Sequence, residues 1–419
     1  MFTPANPTSA IRPSMGFKQF VAFVAAVMAT NALAIDSMLP ALPVIGHALG
    51  IPADNERQWI VTAYLLGFGA AQIVYGTLAD RYGRRPVLLV ALGLYTLFSA
   101  VAGFAGSFAL MVVARVLQGV GAAGTRVLAV SIVRDRYSGR QMARVMSLAF
   151  IVFLAVPIAA PSLGQLIMRV APWQAIFFAL AIFGAAVTGW AAIRLPETLH
   201  EEDRLPIRAT RILGAFRVAL SERKAVGYML AMTVLLGGLF GYINSVQQVF
   251  SEVFHAPALF PQIFGMTALF MAASSLLNAR IVGRIGTHRV SHTALVGYVL
   301  VAAVHATLAW CGRETLWGFA VCQALMMFCF GLVGSNFGAM AMEPLGHIAG
   351  TASSVQGVVT TVGGAALGFA IGQQFDGSAI PLTLGFVLFG GAALVIVFVT
   401  EKGQMFRSPL VQAERALTA

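Results

Sequence analysis

Long apolar runs dominate the chain, separated by short polar or basic stretches. A bilayer core about 30 Å thick needs roughly 20 apolar residues per spanning helix. Measured against that length, apolar runs fall near 17–40, 58–79, 87–105, 109–133, 143–167 and 172–194. They resume near 225–249, 261–282, 290–311, 315–341, 351–373 and 379–400. The pattern predicts an all-α membrane protein with twelve transmembrane helices in two pseudo-symmetric sets of six. Between the sets lies the one long polar stretch, which holds His200-Glu201-Glu202-Asp203 and several arginines. The expected organisation is a six-helix bundle over 1–194, a cytoplasmic linker over 195–224, and a second bundle with a short cytoplasmic tail over 225–419.

Composition supports the same class. Of 419 residues, 58% are hydrophobic and only 10% charged, against about 25% charged in soluble domains. So few charges cannot cover a water-facing globule, which excludes a soluble enzyme, a disordered tail and a secreted disulfide scaffold. The net charge of +11 would suit nucleic acid, but the placement of the basic residues argues otherwise. With the amino terminus in the cytoplasm, 22 of the 27 Lys and Arg fall in cytoplasmic segments, and only Arg57, Arg169 and Arg313 on the other side. That is the positive-inside bias of an inner-membrane protein with both termini cytoplasmic, and no nucleic-acid partner is expected. Arg12, Lys18 and Ala32-Leu33-Ala34 resemble a cleavable signal, but the apolar stretch continues through Leu39, so retention as the first helix is expected. Cys322 and Cys329 lie about 10 Å apart along one helix and cannot bridge each other; with Cys311 they read as small apolar residues.

The two sets share a local repeat. Leu78-Ala79-Asp80-Arg81-Tyr82-Gly83-Arg84-Arg85 follows the second run, and Ile281-Val282-Gly283-Arg284-Ile285-Gly286-Thr287-His288 follows the eighth. Aligning Gly83 with Gly286 also aligns Arg81 with Arg284. Duplicated halves around a midplane site are a common plan of secondary transporters.

Three motifs carry a family resemblance. Gly76-Thr77-Leu78-Ala79-Asp80-Arg81-Tyr82-Gly83-Arg84-Arg85-Pro86 resembles the loop 2–3 signature of the major facilitator superfamily. Arg115-Val116-Leu117-Gln118-Gly119-Val120-Gly121 is similar to the fourth-helix signature of its proton-coupled members, and Pro157-Ile158-Ala159-Ala160-Pro161-Ser162-Leu163-Gly164 to its antiporter motif. Ile35-Asp36-Ser37-Met38-Leu39-Pro40, Ser251-Glu252-Val253-Phe254 and Ala349-Gly350-Thr351-Ala352-Ser353 resemble the bicyclomycin/chloramphenicol-resistance branch. The resemblance implies a drug:proton antiporter with no cofactor.

Site candidates follow from the cost of polar groups in lipid. Asp36 is a carboxyl in a membrane helix, so it should face a cavity or a partner. Counted from the helix ends, Asp36 and Arg115 sit at similar depth, and Asp36 is expected to carry the proton with Arg115 and Gln118 setting its affinity. Desolvation favours a neutral carboxyl and a nearby guanidinium the ionised one, so changing neighbours can load and release a proton. Arg126 stands about eight residues from the inner end of the fourth run, open to snorkelling, to a buried contact or to a cavity role. Substrate contacts are expected from mid-depth polar and aromatic residues: Asn31, Tyr64, Gln72, Tyr242, Asn244, Gln247, Gln248 and Asn336. Met326, Met327 and Phe330 read as core filling. Gating is expected from Asp80, Arg81, Gly83, Arg84 and Asp135 at the inner loops, with Asp80 facing the start of the eleventh helix by family analogy. Pro157, Pro161 and Gly164 are expected to bend and pack the fifth helix.

Other matches fail their context. Gly119 to Gly124 fits G-x-G-x-x-G but lies in an apolar helix with no preceding strand, so close helix packing is expected rather than a dinucleotide site. His288 and His292 lack a third ligand, and no metal is expected. The sequence therefore reads as a monomeric, non-enzymatic exporter of small amphipathic compounds driven by proton antiport with alternating access. The alternative is a carrier of one physiological metabolite on the same fold.

Overall fold

The computed structural model describes residues 15–204 and 209–406; Arg12, Arg208, Arg407 and Arg415 of the basic count lie outside them. In a bilayer every backbone polar group must find its partner within the protein, which selects helices for segments this apolar. Twelve described helices are long and apolar enough to cross a membrane. The first six are α1 (Phe17–Asp36), α2 (Trp59–Tyr82), α3 (Arg84–Gly103), α4 (Phe108–Arg136), α5 (Gly139–Val170) and α6 (Gln174–Arg194). The second six are α7 (Arg223–Gln248), α8 (Phe260–Ile285), α9 (Thr287–Trp310), α10 (Leu316–Met342), α11 (Ala349–Gly372) and α12 (Ile380–Thr400). A further helix, Ala209–Ser221, precedes α7 and packs on α7 and α11.

The packing is duplicated. In the first six, α1 packs on α4 and α5, α2 on α4, and α3 on α4 and α6. In the second six, α7 packs on α10 and α11, α8 on α10, and α9 on α10 and α12, the same pairs shifted by six. Between the halves, α2 packs on α11 and α5 on α8, so each contact joins the second helix of one half to the fifth of the other. The loop repeat has matching backbone too: Gly83 sits at φ 98°, ψ 158° and Gly286 at φ 89°, ψ 149°, a region nearly restricted to glycine. Each ends one spanning helix and begins the next.

The glycines of α4 explain its motif mechanically. A Cβ on Gly119 would collide with the Tyr64 carbonyl of α2, and one on Gly121 with the backbone of Tyr95 on α3. These glycines let three helices approach backbone to backbone, in line with the packing role expected for them.

Candidate functional site: a buried charge network and a one-sided seal

Asp36 is the last residue of α1, after which the chain turns through Leu39–Ala41 into a short helix, Leu42–Ala48. Asp36 is only 5% exposed, and among the described residues its carboxylate has no hydrogen bond and no ion pair. Arg115 is fully buried. Its Nε donates to the Ile60 carbonyl at 2.9 Å and its Nη1 to Gln118 Oε1 at 2.6 Å, while the guanidinium lies 4.5 Å from the Tyr64 ring centre. Gln118 Nε2 donates to Ser99 Oγ at 2.7 Å, and Ser99 donates to the Tyr95 carbonyl at 2.6 Å. Among the described residues, Arg115 Nη2 has no hydrogen-bond partner. Carbonyl, amide and aromatic face thus replace a carboxylate around this cation.

Asp36 and Arg115 do not form an ion pair, and the register shows why. Thr30 Oγ1 and Thr125 Oγ1 lie 3.0 Å apart, fixing the level of α1 against α4. Asp36 is six residues, about 9 Å, from that level, and Arg115 is ten residues, about 15 Å, in the same direction. Their depths, similar when counted from the helix ends, differ by about 6 Å in this register. Tyr64 spans the difference. Its ring faces Arg115, and its hydroxyl donates at 2.9 Å to Asn31 Oδ1 on α1, the helix that ends at Asp36.

The remaining candidates divide by location. Gln72, Asn244 and Gln248 all bridge the halves. Gln72 Nε2 donates to Thr361 Oγ1 of α11 at 3.4 Å, Asn244 Nδ2 to Thr62 Oγ1 of α2 at 3.3 Å, and Gln248 Nε2 to Asn55 Oδ1 at 2.9 Å. Tyr242, Gln247 and Asn336 stay within the second half. Tyr242 stacks on Phe264 and its hydroxyl is 3.4 Å from Thr267 Oγ1. Asn336 Nδ2 donates to Asn278 Oδ1 at 2.8 Å. Gln247 Nε2 donates to Ser251 Oγ at 3.3 Å, and its buried Oε1 has no partner.

Residues that sequence reasoning passed over complete the bridge. Gln58 Nε2 donates to Gln248 Oε1 at 2.7 Å and to the Gly372 carbonyl at 3.0 Å. Asn55 Nδ2 donates to the Phe375 carbonyl at 2.9 Å, and Gln373 Nε2 to the Asn55 carbonyl at 2.8 Å. Arg57 pairs with Asp54 at 2.7 Å and across the halves with Glu252 at 3.3 Å. All of these join the arginine-poor ends of the helices. Among the described residues, no hydrogen bond or ion pair joins the halves beyond Gln72–Thr361 toward the arginine-rich end. The only available signal was the clustering of Asn, Gln and Arg in 54–58, which their spacing in sequence does not link to residues near 248 and 373.

At the arginine-rich end, Arg84 Nη1 donates to Asp80 at 2.6 Å and Nε to Asp135 at 2.9 Å, so the loop ties α2 and α3 to the end of α4. Glu197, also missed, accepts from the backbone N–H groups of Arg84 at 2.8 Å and Arg85 at 3.1 Å. It supplies a carboxylate to the amino end of α3, where the helix dipole favours one. A Cβ on Gly83 would lie 2.5 Å from that carboxylate. Asp80 pairs with Arg84 and makes no bond to the start of α11 among the described residues; Arg81 is exposed. On α5, a Cβ at Gly164 would collide with the Ser37 carbonyl, next to Asp36, and Gly265 of α8 meets the Ile158 carbonyl beside Pro157. Pro161 is buried and Pro157 half-buried within an unbroken helix.

Comparison with known proteins agrees with this architecture. The profile of the Major Facilitator Superfamily matches residues 23–369. An uncharacterized MFS-type transporter, YdgK, of Bacillus subtilis is 29% identical over 392 residues, covering 93% of this chain and 95% of that protein. A bicyclomycin resistance protein homolog of Haemophilus influenzae is 28% identical over 371 residues, covering 87% of this chain and 90% of that protein. The solved structure of a point mutant of the nucleoside transporter NupG superposes with a TM-score of 0.70 at 15% identity, covering 93% of this chain and all of that one. Twelve apolar helices, duplicated packing and a matching profile over most of the chain lead to one conclusion: this multi-pass membrane protein belongs to the Major Facilitator Superfamily of transporters.

Proposed function

We propose that the protein exports small amphipathic compounds in exchange for protons by alternating access. The observation that carries this reading is Asp36, a buried carboxyl at the end of α1 with no hydrogen-bonding or ionic partner among the described residues. A carboxylate so placed is costly when ionised and cheap when protonated, so it exchanges a proton whenever its surroundings change. Gly164 of α5 packs against its neighbour Ser37, so movement of α5 against α8 reaches Asp36 directly. Arg115, held by Ile60 and Gln118 behind Tyr64, supplies a fixed positive field about 6 Å along the helix axis. That field stabilises the ionised acid after proton release.

The positive-inside bias assigns the arginine-rich end to the cytoplasm. The bridge of Asn55, Arg57, Gln58, Asn244, Gln248 and Gln373 then closes the outer side. The six-helix bodies over 1–194 and 225–419 rock about α2–α11 and α5–α8, with the segment 195–224 as their cytoplasmic linker. Asn31 and Tyr64 in the first half, and Tyr242, Gln247 and Asn336 in the second, line the substrate path. Asp80, Arg84 and Asp135 hold the inner loop as a unit while the bodies move. The name of the Haemophilus influenzae relative supports a toxic compound as cargo. The test is accumulation of bicyclomycin, chloramphenicol and naphthoate in cells stripped of native pumps, with and without a protonophore. Lower accumulation that the protonophore abolishes is expected. Unchanged accumulation of the whole panel contradicts export of such compounds.

A further inference from the structure

Asp36, Arg115 and Arg126 are charged side chains inside the spans of the first half, and the scheme above uses only Asp36 and Arg115. Arg126 is left over. It follows Thr125, whose hydroxyl meets Thr30 of α1, and its guanidinium lies 5.8 Å from the Phe68 ring centre of α2. No described residue forms a hydrogen bond or ion pair with it. The side chain is exposed, yet it stands where α4 faces α1 through Thr125 and α2 through Phe68. A side chain that is both accessible and deep lines an internal space rather than the lipid face. The helix continues to Arg136, ten residues or about 15 Å farther, so Arg126 stands well inside α4.

We propose that Arg126 anchors an anionic group of the transported molecule, so that the carrier takes amphipathic carboxylates. Arginine presents a rigid fork of donors that matches a carboxylate in two parallel hydrogen bonds. Beside that fork, the buried Phe68 ring packs on Tyr64 at 6.2 Å with an interplanar angle of 6° and gives the guanidinium an aromatic face to rest on. An unpaired charge at this depth is costly, and a bound anion removes that cost in the loaded state. Asp36 stands about 10 Å away along the axis, so an acid held at Arg126 leaves the Asp36 carboxyl free for its proton. The direction and driving force of transport rest on the export reading; binding of the acid does not.

Equilibrium dialysis of the purified protein in detergent separates the two. The probes are naphthoate and its uncharged counterpart naphthamide, with protein-free micelles as the blank. The wild type is expected to bind naphthoate, Arg126→Met to bind it about ten- to a hundredfold more weakly, and Arg126→Lys to retain most of the affinity. Naphthamide binding should be unchanged by Arg126→Met, which also reports that the variant is folded. Equal loss of both probes in Arg126→Met, an undiminished affinity for naphthoate, or a wild type that does not bind naphthoate overturns the proposal. Arg126-dependent binding in a protein that shows no proton-driven export leaves the anchor standing and removes the export reading alone.

Discussion

The two halves share a backbone plan but not a charge plan. In the first, Asp36, Arg115 and Arg126 lie within the membrane-spanning helices, and Asp36 and Arg115 are almost completely buried. In the second, the mid-depth polar side chains are neutral: Tyr242, Asn244, Gln247 and Asn336. Its ionisable groups sit toward the helix ends, where Tyr228 donates to Glu401 at 2.6 Å beside His292, and His305 pairs with Glu314 at 2.6 Å. The inner loops repeat the contrast. Gly83 and Gly286 adopt nearly the same backbone, but Arg84, Asp80, Asp135 and Glu197 surround the first, while Thr287 follows the second and a Cβ on Gly286 would meet nothing within 4 Å. Duplication supplied the frame twice. Among the described residues, mid-depth charge stands in the first copy, and the mid-depth polar side chains of the second are neutral.

The sharpest way to break this contrast is to neutralise each side in turn. Asp36→Asn should reduce proton-driven efflux to background, whereas Asn336→Ala should keep the coupling and raise KM; transport in inverted vesicles under an imposed pH gradient reads both. A loss of coupling on the second side would erase the division of labour. Next in size is the loop network. Arg84→Met strands Asp135 and should cost about 2 kcal/mol of stability, seen as a lower unfolding temperature in detergent. Gly83→Ala and Gly286→Ala should each cost on the order of 1–3 kcal/mol for backbone conformation, and Gly83→Ala more, because its new methyl must displace the Glu197 carboxylate. Equal losses would remove the asymmetry claimed for the two loops. The smallest effect is expected at the bridge. Gln58→Ala removes hydrogen bonds to Gln248 and to the Gly372 carbonyl, about 1 kcal/mol, and should raise labelling of a cysteine introduced at Thr62 by an impermeant reagent from outside.

Fold and family were legible because they rest on apolar run length and short contiguous motifs, both local properties of a chain. The glycines of α4 were legible as packing residues for the same reason. The relation of Asp36 to Arg115 was not. It depends on where α1 stops and on how α1 slides against α4, which the Thr30–Thr125 contact fixes and no sequence spacing reveals. Glu197 was hidden for a similar reason, since its role is to cap α3 from the end of α6, more than a hundred residues away. The bridge between the halves was half legible: Asn244 and Gln248 stood out as polar residues on an apolar helix, but as candidates for cargo rather than as partners of Thr62, Asn55 and Gln58. Arg126 was open between three readings in sequence, and its contact with Phe68 of α2 is a tertiary one that spacing does not reveal.

The central claim is that Asp36 carries the proton that is exchanged for cargo. Purified protein in weakly buffered detergent, loaded at low pH with its carboxyl protonated, is challenged with an exported compound while a soluble pH dye is followed. The account predicts release of about one proton per carrier as cargo displaces it, and none from Asp36→Asn with cargo binding intact. Equal release from the two proteins would contradict it.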